Sequence, residues 1–174
     1  MAAAFQRVVV IGSSGAGKST FARRLGEATG IPVTHIDQLF WEPGWIEAPQ
    51  SVYLARIADV VARERWIIEG VSTGTLDLRL PRTDMVFWLD RSRWACLWRA
   101  ARRITTGYGQ VRADMAPGCP EKIDPEFFRF IWTFHEHYDH RIQAAIEKHG
   151  LTDCTIKLRS DREAQDYLAG LRLN

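Results

Sequence analysis

An α/β fold, three layers deep around a mostly parallel five-stranded sheet, is the class that three observations on this 174-residue chain predict. Short β-rich runs alternate with helical patterns along the sequence. The runs are apolar almost throughout, not at every second position, as strands covered on both faces require. The segments between them carry apolar residues at helical spacing and are long enough to cross back over a parallel sheet. With 46% hydrophobic residues the chain can build one core, so residues 1–174 read as a single domain.

Each element follows from its residues. Residues 8–11, VVVI, form the first strand, and the basic, amphipathic KSTFARRLG that begins at Lys18 forms the first helix. Residues 33–36 make the second strand. Leu54, Ile57, Ala58 and Val61 then recur at i, i+3, i+4 and i+7, with Pro49 placed to open that helix. Residues 66–68 and 85–89 are the third and fourth strands. A helix over about 92–106 puts Leu97, Ala101 and Ile104 on one face and Arg99, Arg102 and Arg103 on the other. Residues 107–123, GYGQVRADMAPGCPEKI, lack any period and contain Gly107, Gly109, Gly118, Pro117 and Pro120, which marks a mobile excursion. Phe127, Ile131, Phe134, Tyr138, Ile142 and Ala145 form a long helical stripe, and residues 154–158 are the fifth strand.

Composition narrows the function classes. A formal charge of +2 gives no general pull toward nucleic acid or an anionic membrane. Cys96, Cys119 and Cys154 are odd in number and widely spaced, which suits a reducing compartment and fits neither a disulfide framework nor a zinc ribbon. No apolar run approaches the ~18 residues of a membrane span, and the first strand begins too early for a leader peptide, so a cytoplasmic location is expected.

At the first strand–helix junction stands Gly12-Ser13-Ser14-Gly15-Ala16-Gly17-Lys18-Ser19, which matches G-x-x-x-x-G-K-[ST] in its required context. Glycines there let backbone N–H groups converge on a phosphate, and the helix starting near Lys18 aims its positive end at the same anion. Lys18 is expected on the β- and γ-phosphates of ATP, Ser19 on the Mg²⁺ that bridges them, and Thr20 near the α-phosphate.

Other residues surround that loop. No N-K-x-D motif of a GTPase is present. Glu69 ends WIIE beside the phosphate loop and is followed by Gly70, a placement that suits an Mg²⁺-supporting carboxylate; Asp90, which ends MVFWLD, is assigned to capping the next helix. Asp37, in THIDQLFWEPGW, stands at the carboxyl edge of the sheet where an acceptor would sit, and can orient or deprotonate its hydroxyl. His35, Trp41 and Trp45 share that loop. Arg99 and Arg103, followed by the excursion near 105–123, read as lid cations that neutralise charge on the transferred phosphoryl group. His135, His137 and His140 spread round their helix, so no metal is assigned to them.

The stretches VVVIGSSGAGKST, GIPVTHIDQLFWEPGW, RWIIEG, DLRLPRTDMVFWLDRSRWACLWR and DMAPGCPEKID, in this order, make the chain resemble the DNA topology modulation protein family. That family is similar to adenylate kinase in fold, and the resemblance runs from Arg7 to the last helix. It implies a P-loop NTPase of nucleotide-kinase type, with Gly12 to Thr20 on nucleotide phosphates, Glu69 at the kinases' acidic position, and Arg99 and Arg103 where lid arginines begin. The family often has Asp-Gly-Asn-Tyr where this chain has Glu69-Gly70-Val71-Ser72, and the Asp-Gly-Phe-Pro-Arg of adenylate kinases is absent. Two functions are expected from these readings. One is a kinase using Mg-ATP on a small-molecule acceptor, a nucleoside or nucleoside monophosphate first among them. The other is a nucleotide-dependent regulatory ATPase acting on DNA or a protein partner.

Overall fold

The computed structural model describes residues 5–172. In chain order the elements are β1 (Arg7–Gly12), α1 (Lys18–Thr29), β2 (Val33–His35), α2 (Ile36–Phe40), β3 (Trp41–Glu42), β4 (Ile46–Glu47) and α3 (Gln50–Val61). Then come β5 (Trp66–Glu69), α4 (Leu76–Arg79), β6 (Met85–Leu89), α5 (Arg93–Gly107), α6 (Pro125–Lys148), β7 (Thr155–Leu158) and α7 (Asp161–Arg172). Five strands form one parallel sheet in the order β2-β5-β1-β6-β7. The chain leaves β1 for β2, two places to one side, and later returns to place β6 on the other side. The loop after β1 therefore sits where successive connections diverge, which in open α/β sheets is where ligands bind.

The unbroken apolar runs are explained by the two faces of the sheet. Val9, Ile11, Trp66, Ile68, Val86 and Trp88 point into a core shared with α3, α4 and part of α6. Val8, Val10, Ile67, Phe87 and Leu89, the alternate positions, point into a second core with α1, α5 and α7. Each such side chain removed from water stabilises the fold by about 1.5–3 kcal/mol, so neither face tolerates a polar residue cheaply. The long helix α6 serves both cores, through Phe134, Ile142 and Ile146 on one side and Ile131 on the other. It begins as its sequence demands, with Pro125 in the first turn and the Asp124 carboxylate accepting from the N–H groups of Glu126 and Phe127.

Three local expectations change. Residue 36 leaves the second strand and opens α2, because the chain turns there toward the sheet edge. The aromatic loop beyond it closes as the two-stranded β3–β4 ribbon, too short to carry a strand pattern. Asp90 does not cap α5; Ser92 does, its hydroxyl accepting from the Ala95 N–H at 3.3 Å.

The excursion is folded, not open. Between α5 and α6 its base is closed by a bridge from Tyr108 to Glu121 and by Gly109 N–H donating to the Glu121 carbonyl. Its tip buries Met115, Ala116 and Cys119 against Trp41 and Trp45 of the ribbon. Trp45 Nε1 donates to the Pro120 carbonyl at 3.1 Å, and Gln38 Nε2 to the Ala113 carbonyl at 2.7 Å. Among the described residues no helix is long and apolar enough to cross a membrane.

Candidate active site

The turn from β1 into α1 has the geometry of an anion cradle. Gly17 stands at the helix start with φ 92°, a left-handed conformation that favours glycine, and no side chain caps the twelve-residue helix behind it. Its first N–H groups therefore remain free for a phosphate. A Cβ on Gly15, at φ 81°, would collide with the Cys96 carbonyl, so α5 packs directly on the loop. Ser14, Gly15, Gly17, Lys18, Ser19 and Thr20 line a cleft of about 1010 Å³, whereas Gly12, Ser13 and Ala16 are buried beneath it. That volume is at the top of the range for one small ligand, and accommodates a nucleotide beside a second molecule.

Glu69 is the hub of the cleft floor. It ends β5, only 6% exposed, where pairing of β5 with both β1 and β2 brings it beside the loop. Ser19 Oγ donates to Glu69 Oε2 at 3.2 Å, and Lys18 Nζ lies 3.7 Å from Oε1 while donating to the Ser13 carbonyl at 3.1 Å. His35 Nδ1 is 2.8 Å from the same carboxylate. Burial by itself would push His35 down, but the hydrogen bond and charge of Glu69 more than offset it and leave the imidazole raised. Hydroxyl and carboxylate oxygens are the donors a hard divalent cation takes, so Ser19 and Glu69 fit Mg²⁺.

Asp37 occupies the first turn of α2 and lines the same cleft. Its side chain is exposed within the concave cleft. Loss of surrounding solvent, together with the charge of Glu69, pushes its carboxyl up, a change that Lys18 and Arg112 partly offset. Phe40, Tyr53, Val71, Phe130 and Tyr138 also line the cleft. Tyr53 donates to Ser72 Oγ at 2.7 Å, fixing the turn after β5.

The arginine face of α5 divides. Arg99 and Arg103 reach the cleft, and Arg102 stays in solvent. An Arg99 terminal nitrogen lies 3.8 Å from where a Cβ on Gly17 would stand, and the guanidinium is held at 2.6 Å by Asp161, itself exposed. Arg103 Nε lies 3.1 Å from Oε1 of Glu121, with its guanidinium over the Phe127 ring at 5.5 Å. Arg112, from the excursion, places Nε 2.6 Å from the same oxygen and a terminal nitrogen 3.0 Å from Asp114.

Sequence reasoning missed Glu121, Asp114 and Arg79 as members of this region. An acid amid basic lid residues was a usable signal for Glu121. None existed for Arg79, fully buried at the end of α4, whose guanidinium donates to the carbonyls of Gly70 and Ser72 at 3.1 and 3.0 Å and, at 3.4 Å each, to those of Val71 and Thr75. Burial pushes Arg79 down to about 10, so it remains a cation at neutral pH.

No family model and no curated protein matches the chain, and the expected membership of the DNA topology modulation family is not shown. Solved structures are similar. The shikimate kinase of Acinetobacter baumannii, in complex with shikimate, is 16% identical over 97% of this chain and 91% of that one, with a TM-score of 0.60. Shikimate kinases of Bacteroides thetaiotaomicron and Aquifex aeolicus are 17% and 15% identical, with TM-scores of 0.53 and 0.54. They cover 98% and 96% of this chain, and the chain covers 98% and 94% of theirs. The protein has the P-loop α/β fold of these kinases.

Proposed function

We propose that the protein is a phosphotransferase that moves the γ-phosphoryl group of ATP to a hydroxyl of a small molecule, with nucleosides and nucleoside monophosphates as the leading acceptors. The observation that carries this reading is the common cleft: the loop's Lys18 and Ser19 both meet Glu69, and Asp37, on a different element, faces the space above them. A carboxylate with a raised pKa beside a phosphate cradle is suited to general-base work. Asp37 would accept the proton of the acceptor hydroxyl as that oxygen bonds to the γ-phosphorus and the bond to the β,γ-bridging oxygen breaks, leaving ADP.

Ser19, with Glu69 beside it, would hold Mg²⁺, which when bound neutralises the β- and γ-phosphate oxygens. Lys18 would bind the same oxygens, and Arg99 and Arg103 would neutralise charge at the γ-phosphoryl group. A concave site bordered by a folded excursion suits a small acceptor better than a polymer. The test is incubation with γ-labelled ATP and a panel of small hydroxyl compounds. Label moving to one of them supports the reading; release of inorganic phosphate alone, stimulated by DNA or a protein, replaces it with the regulatory ATPase.

A further inference from the structure

We propose a metal site outside the cleft, in which Asp90, His135 and Asp139 hold one divalent transition-metal ion of the zinc type. None of the three lines the cleft, and the site is independent of the kinase reading.

The site arises where two elements meet. Asp90 follows the last residue of β6, and His135 and Asp139 are an i, i+4 pair on α6, so both lie on one side of that helix. One ligand atom from each residue lies within 4.8 Å of the other two. Among the described residues no second histidine joins the group. The stretch HEHYDH thus supplies His135 and Asp139, and the third member comes from the carboxyl end of the sheet, a juxtaposition that no helical projection shows.

Hydrogen bonding fixes which ring nitrogen of His135 is free. Its Nε2 is 3.0 Å from the Arg91 carbonyl, which can only accept, so Nε2 carries a proton. Metal-binding imidazoles are held in this way, one nitrogen donating to a carbonyl while the other presents its lone pair. Here the other, Nδ1, faces Asp139 Oδ2 at 2.9 Å. A neutral ring would set its lone pair against a carboxylate, so a positive charge must sit at that contact. In metal-free protein a second proton on the ring supplies it. That proton satisfies one contact alone. It leaves Asp139 Oδ1 sealed from solvent without a hydrogen-bond partner, and it brings a single positive charge to a place where Asp90 adds a second carboxylate. Arg159 approaches Asp90 only to 3.8 Å and is itself 72% exposed, so it offsets little of that charge.

A divalent ion balances both carboxylates. With bonds of about 2.1 Å it accepts donors 2.9 Å apart as they stand, and a small rotation of the part-exposed Asp90 side chain brings in the third. One imidazole nitrogen with two carboxylate oxygens suits Zn²⁺ and its neighbours, whereas Mg²⁺ and Ca²⁺ favour oxygen alone. Water completes the shell, since all three side chains are part-exposed. The ion would tie α6, whose Phe130 and Tyr138 line the cleft, to the end of β6.

The experiment is calorimetric titration of the chelator-treated full chain with Zn²⁺, and separately with Ca²⁺. It uses the parent and the variants Asp90→Asn, Asp139→Asn, Glu69→Gln and Cys154→Ser, each checked for folding by circular dichroism. The parent should take up one Zn²⁺ that Glu69→Gln and Cys154→Ser retain. Asp90→Asn and Asp139→Asn should each bind it about tenfold or more weakly. Ca²⁺ should bind the parent about tenfold or more weakly than Zn²⁺. Saturating Zn²⁺ should raise the urea midpoint of the parent and leave that of Asp139→Asn unchanged. Absence of Zn²⁺ uptake by the parent, or undiminished uptake by the folded aspartate variants, overturns the site. Loss of uptake in Glu69→Gln moves the ion to the cleft and overturns it as well, and Ca²⁺ binding as tight as Zn²⁺ overturns the choice of a transition metal. If Asp139→Asn fails to fold, Asp90→Asn decides the same question.

Discussion

At the scale of single residues, the kinase reading proposed above gives Lys18 and Asp37 different work. Lys18 joins the phosphate loop to Glu69, so Lys18→Ala should weaken Mg-ATP binding and lower turnover by about 10²-fold or more. Calorimetry and a coupled ADP assay read the two effects, and unchanged values for both would remove the loop from catalysis. Asp37 belongs to α2 and not to the loop. Asp37→Asn should leave ATP affinity within about threefold of the parent and cut transfer by about 10²–10⁴, the range for a lost general base. Lost ATP binding with intact transfer would reassign Asp37 to metal or structure.

Among elements, α4 and α6 carry two internal polar anchors. Arg79 holds four carbonyls of the turn from Gly70 to Thr75, and no water can replace it at 0% exposure. Arg79→Ala should lower unfolding free energy by about 3 kcal/mol or more in urea melts, since it leaves a cavity and buried acceptors without donors. His135 on α6 meets acceptors at both ring nitrogens, Asp139 Oδ2 at 2.9 Å and the Arg91 carbonyl at 3.0 Å. Burial opposes its charged form, but these bonds, with Asp90 nearby, outweigh burial and raise it. The native state thus binds the proton more tightly than the unfolded chain does, and the resulting stability is complete below the unfolded value near 6.5. It is lost as pH rises through the higher folded value. Urea melts from about pH 5.5 to 8.5 should show this decline, to which His35, also raised, contributes in the same direction, and the decline should be smaller in His135→Gln; an identical slope in the variant would place the titration elsewhere.

For the molecule as a whole, the excursion between α5 and α6 is stitched to the β3–β4 ribbon, which joins two borders of the cleft. Arg99 is tied to Asp161, which is largely exposed, and such a pair is weak enough for Arg99 to turn to phosphates. Arg99→Ala should therefore reduce turnover by about 10²-fold while changing ATP affinity much less. Hydrogen exchange offers an independent view: residues 108–123 should exchange more slowly with nucleotide and acceptor together than with neither. Equal exchange in both conditions, with normal turnover of the variant, would reduce the arginine face to a solvated surface.

The chain's local signals were sufficient for the strands, the long helices and the phosphate loop. Apolar runs, helical spacing and G-x-x-x-x-G-K-S act over a few residues, and the free energies that select strand, helix or tight turn are felt over the same distance. Tertiary structure decided the rest. The pairing of Arg103 and Arg112 with Glu121, the division of Arg102 from Arg99 and Arg103, and the anchoring of a turn by Arg79 depend on groups brought together by folding. So does the closure of residues 108–124 onto Trp41 and Trp45, across roughly seventy positions of sequence. No residue pattern announces a partner at that separation, because a long charged side chain costs nothing in water until the fold removes the water and leaves one carboxylate within reach.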